Sequence, residues 1–259
     1  MTQSGNDQGS RIEQKMWQAT RAIWRRTRNS RLLSRLAQPI TREVIACQYL
    51  TGSGIEVGAL HSPLRLPAGV SAKYVDFEQS SELDAHYPEL SNVTITRPDI
   101  ISDLETLRGI DDSSQDFVIA NHVLEHCEDP IKAIKSVARV LRARGIAYLA
   151  IPDRRFTFDE EREVTTLAHL IRDHEQGPDV SLREHYEDWC RHVDKLQGQE
   201  LSQKVELLLA TRGNVHFHVW EYPDMMEFFH YMTREAGTPL DIEMSFLTGN
   251  EVIWILRRH

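Results

Sequence analysis

Residues 116–130 read DFVIANHVLEHCEDP, and the fold turns on this stretch. Phe117 to Ala120 form a short continuous apolar run, the signature of a strand buried on both faces. The run breaks at Asn121-His122, and His122, Glu125 and His126 follow at helical spacing. H-x-x-E-H also occurs in zinc proteases, on a long helix with a distant third ligand. Here it follows directly on a buried strand, which argues against that chemistry. Leu124-Glu125-His126 is expected to be a structural helix start with His126 hydrogen-bonded nearby, leaving His122 as the functional side chain. A divalent cation on His122, Glu125 and His126 is the competing reading, and no residue is assigned as a metal ligand.

Outward from this stretch the chain alternates. GIEVGAL (54–60), AKYVDFE (72–78), DIISDLE (99–105) and GIAYLAIP (145–152) are further apolar runs, each ended by Gly, acid or Pro. Polar or helical segments separate them. The clearest is PIKAIKSVARVLRARG (130–145), with apolar residues at helical spacing and Gly145 where a C-terminal cap belongs. Buried strands alternating with helices predict a parallel sheet with helices on both faces.

Residues 153–215 break the rhythm: they are charged and mostly helical in pattern, with Gly177-Pro178 as punctuation. Such an insertion covers a site or shapes its pocket. After VHFHVWEYP comes a helix, DMMEFFHYMTREAG, and then PLDIEMSFL and EVIWILRR joined by TGN, a hairpin signal.

The 259 residues suffice for one large domain. Three separated cysteines, Cys47, Cys127 and Cys190, indicate neither a disulfide framework nor a zinc ribbon, and the absence of an apolar leader or spanning run makes cytoplasm the expectation. The net charge of −9 is uneven: residues 1–48 hold nine Lys/Arg against three Asp/Glu, leaving an acidic body. That body argues against nucleic acid as a partner. Residues 1–48 read as a basic helical arm and 49–259 as the main domain, with the stretch 11–36 suited to a membrane surface or a protein partner through its apolar and Trp positions.

In an open parallel sheet, ligands bind beyond the carboxyl ends of the strands. The first run ends at Glu56-Val57-Gly58, the second at Asp76, the third at Asp103 and the fourth at Asn121-His122. An acid at the second end suits two ribose hydroxyls. Taken together, GIEVGA, YVDFE, DIISDLETL, DFVIANHVLEHCEDP and GIAYLAIPD resemble the successive motifs of class I S-adenosylmethionine-dependent methyltransferases. HFHVWEYPDMMEFF resembles a segment that small-molecule members carry after the fifth strand, and IPDRRFTFD and HFHVW resemble a subgroup met with glycan enzymes.

The resemblance implies a Rossmann-like α/β fold: a seven-stranded, mostly parallel sheet with an antiparallel last strand and a helical insertion after the fifth. It implies S-adenosyl-L-methionine as cofactor. Gly58 and Ala59 would line its methionine part above Glu56, Asp76 would bind ribose, and Phe77 would pack on adenine. Asp103 and Leu104 would meet the adenine edge, and the Asn121 backbone the ammonium, with His122 beside them. The family's G-x-G-x-G loop is Gly58-Ala59-Leu60-His61-Ser62 here, so only the first glycine is kept.

A hydroxyl acceptor needs a base, and His has the appropriate pKa. His122 and His216 are the candidates, with Asp153 behind them; His216 is favoured over His218 because it comes first. The resulting expectation is O-methylation of a small molecule or saccharide. A nicotinamide oxidoreductase would need G-x-G-x-x-G, and amino-directed base methylation goes with Asn-Pro-Pro-aromatic where this chain has Asn121-His122-Val123-Leu124. A non-catalytic cofactor-binding subunit is the remaining alternative.

Overall fold

The computed structural model describes residues 40–77 and 95–259, so the stretch 11–36 lies outside the described residues. The body is the compact unit Arg42–His259. It opens with α1 (Arg42–Tyr49), which therefore belongs to the body and not to the expected arm. The strands are β1 (Ser53–Val57), β2 (Ser71–Asp76), β3 (Ile100–Ile101), β4 (Gln115–Asn121), β5 (Leu141–Pro152), β6 (Leu240–Thr248) and β7 (Glu251–Arg258). They form one sheet in the order β3-β2-β1-β4-β5-β7-β6. The first five are parallel; β7 runs antiparallel to β5 and to β6.

Side-chain alternation divides the central strands between two cores. Val118, Ala120, Leu149 and Trp254 pack on one face with α2 (Pro130–Val140) and α6 (Tyr222–Arg234). Phe117, Ile119, Tyr148 and Ile255 pack on the other with Ile45 and Ala46 of α1. Each fully buried side chain of this size contributes roughly 1.5–3 kcal/mol. Burial on both faces is why the β4 sequence is a continuous apolar run. Local chemistry starts the helices: Asp129 caps α2 by accepting from the Lys132 N–H at 2.9 Å, ahead of Pro130, and Glu221 and Asp224 form a capping box on α6.

Three local expectations are corrected. No α-helix starts at His122: its φ is +55°, and only one 3₁₀ turn, Leu124–His126, precedes α2. His122 N–H is held by the Ala150 carbonyl at 2.8 Å, so the chain turns sharply off the sheet before it coils. Helix α2 stops at Val140, and Gly145 sits inside β5, because Leu141 already pairs with Gln115 across a register shift. The segment 213–220, strand-like in pattern, has no strand partner among the described residues.

The insertion holds α3 (Leu167–Gln176), α4 (Leu182–His192) and α5 (Gly198–Thr211). Leu182, Tyr186 and Cys190 of α4, Val205 and Leu208 of α5, and Val215 and Phe217 beyond it make a separate small core. Gly177 turns the chain between α3 and α4 with φ +90°. TGN closes the β6–β7 hairpin, with Gly249 at φ +58°.

Candidate active site

A cavity of about 830 Å³ opens at the carboxyl ends of β1, β2, β3 and β4, large enough for a nucleoside-sized ligand. Gly58, Asp76, Phe77, Asp103, Leu104 and His122 all line it, so six of the sequence-derived residues meet at one place. The opposite wall comes from the end of α5 and the segment after it: Thr211 to Asn214, and Phe217.

Gly58 has φ +67°, and a Cβ there would meet Val123 Cγ2 at 2.7 Å. The turn therefore demands glycine twice over, by conformation and by space. Leu60 replaces the family's second glycine yet keeps a left-handed φ of +44°, a conformation that costs a non-glycine residue about 1–2 kcal/mol. Its carbonyl is fixed by the Thr96 N–H at 2.7 Å. Glu56 is buried below the loop and accepts from the Leu64 N–H at 2.8 Å, and burial lifts its pKa to about 7. Ala59 is buried and does not reach the cavity wall.

Asp76 is buried at the end of β2 and accepts from the Phe77 N–H at 2.8 Å. Phe77 is 42% exposed and lines the cavity. Both Asp103 oxygens accept from Thr106, at 2.8 and 2.9 Å, while Leu104 is buried. The side-chain amide of Asn121 is buried with no hydrogen-bond partner among the described residues.

His122 Nε2 lies 2.7 Å from Glu251 Oε2, and Arg42 grips the same carboxylate. Burial favours the neutral form of both His122 and Glu251, but their mutual hydrogen bond, Arg42 on Glu251 and Glu125 near His122 outweigh it. The His122 pKa is raised and that of Glu251 falls to about 2.

His216 does not line the cavity; its Nδ1 is 2.7 Å from Asp159 Oδ2 and its ring stands edge-on to His126 at 4.6 Å. Burial chiefly, then His216, drive the His126 pKa down to about 3. Glu125 is wholly buried, and burial raises its pKa. Asp153 lies away from the cavity, held by Arg155 at 2.9 and 2.6 Å and by the Tyr222 N–H at 3.2 Å, where it ties the end of β5 to α6.

Sequence reading did not single out Glu251, Arg42, Val123 or Asn214. An acid opening the otherwise apolar EVIWIL was a usable signal for Glu251; nothing marked the others.

A methyltransferase-domain family model matches residues 52–149, the span from β1 into β5. A search of curated proteins finds no match. Among solved structures, a Rhodobacter sphaeroides protein provisionally described as a Zn-dependent alcohol dehydrogenase is 15% identical, with 86% of this chain and 91% of that one covered and a TM-score of 0.51. At that identity the likeness concerns the fold alone. A Methanosarcina mazei S-adenosylmethionine-dependent methyltransferase is 16% identical over 82% of this chain and 95% of that one, TM-score 0.43. One from Thermotoga maritima is 14% identical over 83% and 86%, TM-score 0.41.

Residues 52–149 match a methyltransferase domain, set in a seven-stranded α/β sheet with a reversed β7. That match and the sheet order support a class I S-adenosylmethionine-dependent methyltransferase with S-adenosylmethionine as cofactor. Asp76, Asp103, Glu105 and Glu128 line the cavity, together with Arg212, which pairs with Glu128 at 2.8 and 2.6 Å. Among the described residues no helix is long and apolar enough to cross a membrane.

Proposed function

We propose that this methyltransferase acts on a hydroxyl of a small molecule or saccharide, with His122 as general base. S-adenosylmethionine supplies an electrophilic methyl group, so the protein's task is positioning and proton removal. Asp76 binds ribose hydroxyls, Phe77 covers the adenine, Asp103 and Leu104 meet its edge, and the Gly58 turn and Asn121 carbonyl hold the amino-acid end. The end of α5 and the segment after it shape the acceptor side of the cavity, through Thr211 to Asn214.

The observation that carries this reading is His122 on the cavity wall with Glu251 at 2.7 Å from its Nε2. A carboxylate on Nε2 fixes the hydrogen there and leaves Nδ1 as the proton acceptor, the arrangement that orients a catalytic imidazole. His216 has a similar carboxylate partner but does not reach the cavity wall, which favours His122.

The test is a panel of hydroxyl acceptors with His122→Gln and His216→Gln. Loss of His122 should lower kcat by ~10²-fold or more while S-adenosylmethionine affinity stays within a few-fold. A His122→Gln enzyme turning over at the native rate, or methyl transfer to amines alone, would overturn the reading.

A further inference from the structure

Glu125 is wholly buried, and neither of its carboxylate oxygens has a hydrogen-bond partner among the described residues. An isolated buried carboxyl is costly in either protonation state, because even the neutral acid must place one donor and its acceptors. Something is therefore expected to satisfy it. Its surroundings are two imidazoles. One ligand atom from each of Glu125, His126 and His216 falls within 4.8 Å of the other two.

Both rings are already oriented. His126 Nδ1 faces two acceptors, Asn214 Oδ1 at 2.9 Å and the Val215 carbonyl at 3.0 Å. His216 Nδ1 faces Asp159 Oδ2 at 2.7 Å. An acceptor opposite Nδ1 puts the hydrogen on that nitrogen, and the lone pair is then on Nε2. Metal-ligating histidines are fixed in this way by carboxylates and carbonyls behind them. Asp159 is itself held by Arg162 at 2.8 Å, so the outer contacts are complete.

We infer that Glu125, His126 and His216 form a binding site for a divalent transition-metal ion, with an open position towards the cofactor cavity. Two imidazoles and one carboxylate suit Zn²⁺, Fe²⁺ or Mn²⁺ better than Ca²⁺ or Mg²⁺, which take oxygen ligands. His126 lines the cavity and the other two ligands lie behind it, so an exogenous ligand reaches the ion from the cavity side. There it would polarise an acceptor hydroxyl beside His122, whose Nδ1 is 3.6 Å from Glu125 Oε1. That role rests on the acceptor reading above; the binding of the ion does not.

The experiment therefore measures binding, not turnover. Chelator-treated full-length chain is titrated with Co²⁺ and with Zn²⁺, followed by visible absorption and calorimetry. One equivalent should bind at this site. Glu125→Gln and His216→Gln should each weaken it at least tenfold, and Asp159→Asn, which acts through His216, by ~10–100-fold. His185→Gln serves as the control, because His169, His185 and His218 also bring ligand atoms within 4.8 Å of one another. Loss of the ion in the control with retention in Glu125→Gln would overturn the assignment, as would no binding at all. Wild-type crystals soaked in Zn²⁺ give an answer that needs no variant to fold: an anomalous peak between Glu125, His126 and His216 supports the site, and its absence there overturns it.

Discussion

Glu251, the first residue of β7, meets His122, the first residue after β4, at 2.7 Å although 129 positions separate them in the chain. Neither is adjacent to the other in the sheet, since β5 lies between their strands. Arg42 at the start of α1 completes the group from a third direction.

Replacing Glu251 with Gln should leave cofactor affinity nearly unchanged and lower kcat by ~10-fold or more, because an amide no longer dictates which imidazole nitrogen carries the hydrogen. Steady-state rates with a hydroxyl acceptor, beside calorimetry with S-adenosylmethionine, separate the two quantities. Equal rates for both proteins would show that the pair only stabilises the fold.

Acid stability gives an independent reading of the same carboxylate. Its folded pKa of about 2 lies below the ordinary value of 4.5, so its contribution is present above pH 4.5 and is lost as pH falls towards 2. The wild-type protein should lose more stability than Glu251→Gln between those limits. Urea melts at pH 5 and pH 3 measure the difference, and parallel losses would remove the ion pair from the account.

Asp76→Ala should weaken S-adenosylmethionine binding by one to two orders of magnitude, the scale of charge-assisted hydrogen bonds worth roughly 1.5–3 kcal/mol. Calorimetry on the folded variant decides it. Affinity unchanged would move the ribose elsewhere.

Gly58→Ala is expected to cost about 1–2 kcal/mol from the left-handed backbone alone. The added Cβ would also press on Val123 at 2.7 Å, and Val123 lines the cavity. Cofactor affinity should fall together with the melting temperature. The neighbouring Ala59→Gly, at a position without positive φ, should lower the melting temperature only slightly and leave cofactor affinity within a few-fold.

The sheet was legible in the sequence because burial on both faces leaves a mark that needs no partner to read. GIEVGAL, DFVIAN and GIAYLAIP carry dense apolar runs, AKYVDFE a weaker one on a strand only partly buried, and all four coincide with strands. The hairpin at TGN and the punctuation at Gly177-Pro178 were equally local, since turn geometry restricts residue type at the turn itself. The short edge strand β3 left a weaker trace, for two residues cannot establish a period. The positions of Gly58, Asp76, Asp103 and His122 at successive strand ends followed from the parallel order alone.

What the sequence could not supply was distance across the chain. H-x-x-E-H suggests one helix face carrying three side chains, but the turn at His122 sends it to Glu251 while Glu125 and His126 meet His216. A positive φ at a histidine has no reliable signature in residue type, and side-chain pairing between segments 90 or more positions apart depends on how the insertion and β7 pack. Residue type placed the titratable groups near the cavity; only the tertiary structure decided which imidazole faces which carboxylate, because that choice is made by burial and orientation and not by spacing.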